Sequence, residues 1–355
     1  MSPPLISIII ATFNSEKTLP MALASIKKQI FPQEKLEVLV LDGGSTDKTL
    51  MIASRFNCRI IENPRTEPIY GKFLGYLSAR GRHVMYLDSD EELENRESLE
   101  KKMNVFSFDK KIKVVIGSGY KSPRNYPFIN HYINEFGDPF TFFTYNLSKD
   151  TRFFIKTMKK RYPVAYENRD FVSFNFAGIN NLPLIELAAG GSMFDTRFLK
   201  INFPKTLEKF ELLPHYFYLI CKKAPYLAMI KNDALVHYSA DTIKKYLIKI
   251  LWRIKNNIYH VKTMGQSGFL GREKYQPAPF RIKKFLFLPY SYSIVLPLAD
   301  CLYLSFSRKD FRYFAHFPLC LYTATQILFH FLLKTVGFKP ELRSYDESKV
   351  VKKFP

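Results

Sequence analysis

The chain is 355 residues long with a formal net charge of +21, which allows one large domain with an appendage or two domains. Its four cysteines, Cys58, Cys221, Cys301 and Cys320, lack metal-ligand spacing; they exclude a disulfide scaffold and suit a reducing compartment as buried small hydrophobes. The charge is uneven, with 33 basic and 25 acidic side chains in residues 1–240 against 20 and 7 in residues 241–355, so the last third is a separate electrostatic object that fits nucleic acid, anionic lipid or anionic substrates equally well.

In chain order, Leu5 to Ala11 is apolar on both parities and β-branched, the pattern of a strand buried on both faces of a parallel sheet. It is too short for a signal peptide and has no basic leader, so a cytosolic start is expected. Thr12 to Glu16 ends the strand. Leu19, Leu23, Ile26 and Ile30 then recur at helical spacing, with Pro20 in the first turn. Leu36 to Leu41 predicts the next buried strand. Asp42-Gly43-Gly44-Ser45-Thr46 follows it directly: the glycines permit a tight turn and let a ligand approach the backbone, and Ser45 or Thr46 can cap a helix running to Phe56. Asp42 at the strand tip either accepts hydrogen bonds from a base or ribose or is a solvated loop residue.

Arg59 to Glu62 predicts a third strand, and Ile69 to Ala79 a helix bearing Lys72, which reaches a phosphate or is simply solvated. Val84 to Leu87 is a short apolar run, and Asp88-Ser89-Asp90-Glu91-Glu92 follows at its carboxyl end. That edge is where open α/β sheets bind ligands, and two carboxylates one residue apart there can share one hard cation; the competing reading is an acidic helix start. A charged helix from about Glu97 to Val105 and a strand at Val114 to Ile116 complete a βαβ-built, mostly parallel sheet. No glycine-rich phosphate loop is present, so phosphate must be handled by metal and basic side chains.

Taken together, Ile6 to Asn14, Val40 to Thr49 and Tyr86 to Asp90 resemble family 2 of the glycosyltransferases, with the GT-A fold, in order, spacing and strand context. The resemblance is clear over roughly residues 4–105 and loose to about 240. It implies an inverting, metal-dependent transfer from a nucleoside diphosphate sugar, with a UDP-sugar as the expected donor. It implies that Thr12, Asn14, Glu16 and Gly44 line the nucleotide pocket, that Asp42 binds the base or ribose, and that Lys72 and Asp88 lie along the diphosphate. Asp88 and Asp90 match the family's Asp-x-Asp, whose second carboxylate holds Mg²⁺ or Mn²⁺, and His237 resembles a late histidine that approaches the metal or diphosphate, with a structural histidine as the competing reading. Many members carry their base in a Glu-Asp pair. The nearest match, Leu207 to Leu212, has Lys209 in place of the Asp, which leaves Glu208 as first choice for the base and Glu211 and Asp195 as reserves, with ordinary surface acids as the competing reading. Gly190 to Phe194 is similar to the acceptor floor of such enzymes.

Between Tyr120 and Ala177 aromatics are dense and interleaved with Arg152, Lys156, Lys159, Lys160 and Arg161, which suits a nucleic-acid surface or an acceptor-binding region; the framework favours the second and no nucleic-acid partner. From Thr242, Ile243, Leu247, Ile250, Leu251, Ile254, Ile258 and Val261 fall on one helical face, with Lys245, Lys249 and Arg253 opposite and Lys244, Lys255 and Lys262 at the flank. A membrane-surface helix and a core-packing helix share that stripe. Phe285 to Phe306 and Phe317 to Leu333 are apolar, interrupted by prolines and polar residues and flanked by Lys and Arg, which favours in-plane or re-entrant insertion over a spanning hairpin. A mobile tail is expected from Tyr345 to Pro355.

The expected protein is therefore a GT-A domain over 1–240, with a nucleotide half (1–118) and an acceptor half (119–240), followed by a basic, apolar helical attachment region over 241–355. It works at the cytoplasmic face of an anionic membrane on a glycan or lipid-linked acceptor. A polyprenyl-phosphate sugar synthase is the nearest alternative, and a catalytically silent membrane scaffold the alternative from another class.

Overall fold

The computed structural model describes residues 4–260, 271–341, 343–344 and 349–351. The strands are β1 (Ile6–Thr12), β2 (Leu36–Asp42), β3 (Arg59–Glu62), β4 (His83–Tyr86), β5 (Glu91–Leu93), β6 (Val114–Ile116), β7 (Gly119–Lys121), β8 (Val164–Glu167), β9 (Phe171–Asn175), β10 (Ser192–Asp195), β11 (Tyr226–Ile230) and β12 (Ala234–His237). The helices are α1 (Leu19–Lys27), α2 (Thr49–Arg55), α3 (Pro68–Ser78), α4 (Ser98–Phe108), α5 (Phe128–Phe136), α6 (Pro139–Tyr145), α7 (Phe154–Arg161), α8 (Thr196–Asn202), α9 (Tyr216–Cys221), α10 (Ile243–Tyr259), α11 (Ala278–Ile282), α12 (Phe287–Tyr292), α13 (Val295–Arg308) and α14 (His316–Thr335).

Nine strands form one sheet in the order β3-β2-β1-β4-β10-β6-β11-β9-β8. Its first four strands are parallel, as their two-sided apolar pattern predicts. The expectation of a mostly parallel sheet fails beyond β4: β10 enters antiparallel to both β4 and β6, and β9 is antiparallel to β8 and β11. The sheet is mixed, with β6 and β11 parallel to each other within this half.

Strand alternation feeds two cores. Ile9, Leu39, Leu41, Val84 and Tyr86 face α3 and α9, while Ile8, Ile10, Val40, Met85 and Leu87 face α1, α2 and α4. Helix α3 lies close on β1 because Gly75 has no side chain there; a Cβ would stand 2.5 Å from Ile9 Cγ2 and 2.9 Å from Leu41 Cδ2. Most of the aromatics of residues 120–177 are packing material. Tyr132, Phe136, Phe142, Phe154, Phe171 and Phe174 are all buried.

A three-stranded sheet, β5-β12-β7, stands at the carboxyl edge of the parallel strands. It pairs His237 with Glu91 and sets Tyr120 beside Leu235.

Helix α10 begins at Thr242, whose side chain accepts from Lys245 N. Its apolar stripe faces inward: Tyr246, Ile250, Ile254 and Ile258 are buried with α5, α13 and α14 residues such as Tyr132, Leu304 and Leu319. Lys249, expected on the solvent face, is buried and donates to Ser239 O at 2.6 Å and Ser239 Oγ at 2.9 Å. Here the core-packing reading holds. Val261 and Lys262 lie outside the described residues. The described part of the tail is anchored rather than loose, with Val351 buried against Trp252 and Val350 bridged to Arg343.

One ion pair is sealed in this core: Lys102 of α4 binds Asp233 between β11 and β12, with side chains 1% and 2% exposed. Removing one partner of such a pair leaves an uncompensated charge, so Asp233→Ala should cost about 3–5 kcal/mol in urea unfolding. A loss near zero would show that water reaches Lys102.

Candidate active site

Thr12 and Asp42 are partners in the β1–β2 register, which brings the two loops beyond them together. The Asp42 carboxylate accepts from Gly44 N and Ser45 N, both at 2.9 Å, and from Ser45 Oγ at 2.5 Å. Asn14 Oδ1 accepts from Thr46 N at 2.9 Å, and Glu16 Oε2 from Lys48 N at 3.2 Å. Gly44 sits at φ +86°, a conformation that favours glycine. Thr12, Asn14, Glu16, Asp42 and Gly44 are thus grouped at one edge, and much of their polar capacity knits the turn. Lys349 reaches this place from the tail: its ammonium donates to Gly43 O at 3.0 Å and lies 5.4 Å from the Phe13 ring centroid.

Asp88 and Asp90 lie at the end of β4. Lys72, from α3, is buried there, ion-paired to Asp88 and donating to Ala188 O at 2.5 Å. It is not solvated. Burial alone would push its ammonium down, but Asp88, Glu91 and Glu186 outweigh that and hold its pKa above the ordinary lysine value. His237 Nε2 lies 3.6 Å from Asp90 Oδ2, and the His237 ring lies 5.0 Å, centroid to centroid, from that of Tyr120. Burial works against the charge on both partners, yet each favours the other's charged form: Asp90 is held below its usual range, with His237 as the main opposing influence, and His237 is raised, chiefly by Asp90.

Glu91 is the residue that motif reading passed over. It is 1% exposed, accepts from Gly190 N at 3.1 Å and from Asp88 N at 2.9 Å, and is pushed up to about 7 by burial and by Asp88. Its signal lay in strand alternation, which turns Glu91 and Leu93 inward and Glu92 outward.

Among the described residues no group of three or more His, Cys, Asp or Glu side chains forms a ready metal cage. The donor set nonetheless suits a hard cation. Magnesium-type sites are completed by substrate phosphates around one or two carboxylates, which is what Asp88 and Asp90 provide.

Against this edge lies a cavity of about 980 Å³, lined at its inner end by Lys72, Asp88, Tyr120, Glu186 and His237. Arg272, fully buried, donates to Glu186 at 2.8 Å and to Pro214 O at 3.1 Å. The rest is lined by α10, α12 and α14, with Ile254, Phe287 and Phe331 interleaved with Arg253, Lys284 and Lys334.

The three candidate bases are not among its lining residues. Glu208 is exposed after a single-turn helix at Pro204–Leu207. Glu211 is half-buried and acts electrostatically on Arg65, whose guanidinium lies 4.0 Å from the Tyr70 ring centroid. Asp195 sits at the other end of β10 from the site, capping α8 through Phe198 N and paired with Lys113 at 3.4 Å; its chemistry there is that of a helix cap.

Residues 7–181 match the family model described as Glycosyl transferase family 2. Over 99 residues the chain is 34% identical to poly(ribitol-phosphate) beta-N-acetylglucosaminyltransferase TarS of Staphylococcus aureus, covering 26% of this chain and 17% of that protein. Over 83 residues it is 37% identical to a dolichyl N-acetyl-alpha-D-glucosaminyl phosphate 3-beta-D-2,3-diacetamido-2,3-dideoxy-beta-D-glucuronosyltransferase of Methanococcus voltae, covering 21% and 26%. The chain therefore spans well under half the length of these relatives. The solved structure of the mannosyltransferase PcManGT from Pyrobaculum calidifontis, in complex with GDP-Man and Mn²⁺, is similar in fold, with a TM-score of 0.56 at 14% identity over 93% of this chain and 88% of that one.

At the rim, Glu67 caps α3 by accepting from Ile69 N at 2.9 Å and Tyr70 N at 2.6 Å, and burial raises its carboxyl to about 7 against those bonds. A carboxyl raised on folding stabilises the protein below its unfolded pKa of 4.5 and loses that contribution as pH rises towards 7. Wild type should lose on the order of 2–3 kcal/mol relative to Glu67→Gln between those pH values. Parallel stability curves for the two proteins would place the ionised carboxylate comfortably in the fold.

Proposed function

We propose that the protein, whose residues 7–181 match the family model described as Glycosyl transferase family 2, transfers a sugar, with inversion, from a nucleoside diphosphate donor, expected to be a UDP-sugar, to a lipid-linked acceptor at the cytoplasmic face of a membrane. The observation that carries this reading is the meeting of Asp88, Asp90, Lys72 and His237 at one sheet edge, opening on a large amphipathic cavity. In this reading the Asp42 turn receives the nucleoside and residues 119–240 build the acceptor half, with the helices after 240 as the attachment region.

Asp90 and Asp88 would hold a divalent cation, Mg²⁺ or Mn²⁺, which neutralises the donor diphosphate and stabilises it as a leaving group. Lys72, fixed between Asp88 and Ala188 O, adds a positive charge that cannot swing away. His237 lies beside Asp90, which favours its charged form. Glu91 ties Asp88 to Gly190 and so sets the donor edge against the start of β10. For a hydroxyl acceptor the base would fall to Glu211 or Glu208, although neither lines the cavity.

Membrane attachment is supported by exposed apolar side chains on the last helices, among them Val295 at 71%, Phe306 at 69% and Phe311 at 70%. Phe311–Thr335 is long and apolar enough to cross a membrane, whereas Ala278–Tyr292 and Val295–Arg308 meet at 91°, a bend that suits in-plane or re-entrant insertion. Sedimentation with membranes should leave the protein in the pellet at 1 M salt and release it with detergent, since salt screens charge but not apolar burial. Release by salt alone would make the attachment electrostatic.

For the donor site, Asp90→Ala should weaken Mn²⁺-dependent UDP binding at least tenfold in titration calorimetry while the melting temperature holds. Equal affinity in the two proteins would remove Asp90 from the site.

A further inference from the structure

We infer that Lys349, carried by the C-terminal tail, is a further donor-binding residue: its ammonium reaches over the Asp42 turn and hydrogen-bonds the nucleoside half of the donor. The inference rests on the sugar-transfer reading above and adds a residue to the nucleotide side of that site.

The tail is built to present this side chain. Val351 is buried against Trp252 of α10, and the Trp252 indole donates to Arg343 O at 3.0 Å. Both backbone groups of Lys349 are held, its O accepting from Ser344 N at 2.7 Å and its N donating to Ser344 Oγ at 3.0 Å. The side chain then crosses to the tip of β2, where the ammonium donates to Gly43 O and lies beside the Phe13 ring. Gly44 makes room for it, since a Cβ there would stand 2.6 Å from the ammonium nitrogen. A group already fixed in place loses little freedom when a ligand arrives.

The turn itself has little left to offer a ligand. The Asp42 carboxylate accepts from Gly44 N, Ser45 N and Ser45 Oγ, and from Thr12 Oγ1 at 3.4 Å, which fills the roughly four acceptor positions of a carboxylate. Asn14 Oδ1 and Glu16 Oε2 are likewise occupied, by Thr46 N and Lys48 N. An ammonium can donate in several directions, and that of Lys349 is engaged by Gly43 O, with no ion pair among the described residues. Its remaining hydrogens suit the carbonyls of a base or the oxygens of a ribose.

Charge and position decide what the contact is for. A tail that blocked a nucleotide site would do so best with an acid, which mimics a diphosphate. This one brings a cation to a pocket whose ligand is an anion, so the tail and the ligand attract each other. Strand β1 stands between β2 and β4 in the sheet, which separates the Asp42 tip from the Asp88 tip and sets Lys349 at the nucleoside end rather than at the diphosphate.

The test titrates UDP and GDP, and their monophosphates, into the full-length protein with Mn²⁺. Lys349→Met should weaken the better-bound diphosphate about tenfold, as expected for one hydrogen bond to a charged group. It should weaken the matching monophosphate by the same factor, and Lys349→Arg should keep most of the affinity. Val351→Asp, which pries the tail from Trp252, should lose as much as Lys349→Met, and the double variant no more than either alone. On the unaltered protein, acetylation of Lys349 read by mass spectrometry should slow severalfold when the nucleotide is bound. Unchanged affinity in Lys349→Met overturns the inference, and so does a loss confined to the diphosphate, which would move Lys349 to the phosphate end. Tighter binding in Lys349→Met, or faster acetylation with nucleotide, would make the tail a plug and overturns it as well. The acetylation comparison decides the matter even where a variant does not fold. An unaltered protein that binds neither UDP nor GDP with Mn²⁺ overturns the donor reading and this inference together, whereas nucleotide binding indifferent to Lys349 overturns this inference alone.

Discussion

The Lys72–Asp88 ion pair joins three parts of the chain that are far apart in sequence. Lys72 belongs to α3, Asp88 ends β4, and the same ammonium also holds the Ala188 carbonyl just before β10. A buried ammonium survives only with such company, since burial opposes its charge. The requirement works in both directions: the fold must bring acids to Lys72, and the acids brought there form the edge at which an anionic donor would be received. Glu91 extends the same logic, because its contacts with Asp88 N and Gly190 N tie the end of β4 to the turn that starts β10.

The second organising fact is that the C-terminal helices do two jobs on two faces. The inward stripe of α10, with Tyr246, Ile250 and Ile254, is core, shared with α5 and α14. Apolar surface turned outward belongs instead to the helices after residue 278, and the cavity lies between these layers. Any anchoring of those helices therefore bears directly on the shape of the cavity, since α10, α12 and α14 are its walls.

Much of the candidate site was legible because its cause is local. An apolar run that stops at Thr12, another at Asp42 and a third at Asp88 are strand tips whatever the rest of the chain does. What was not legible depends on pairing across distance. His237 meets Asp90 only because β12 docks on β5 in the register that sets His237 against Glu91. The antiparallel entry of β10 placed Asp195 at the far end of the sheet, and no spacing rule foretells that reversal. Periodicity located the α10 helix but could not choose its partner, because a stripe has the same period against lipid or protein; buried Lys249, bonded to Ser239, shows which it met.

The most direct test of the central claim is to follow the sugar. Purified full-length protein in detergent, incubated with a panel of radiolabelled UDP- and GDP-sugars, a divalent cation and a membrane lipid extract, should move label from the aqueous to the organic phase with one of the donors, and a chelator should stop it. Label that stays wholly in the aqueous phase across the panel would contradict transfer to a lipid.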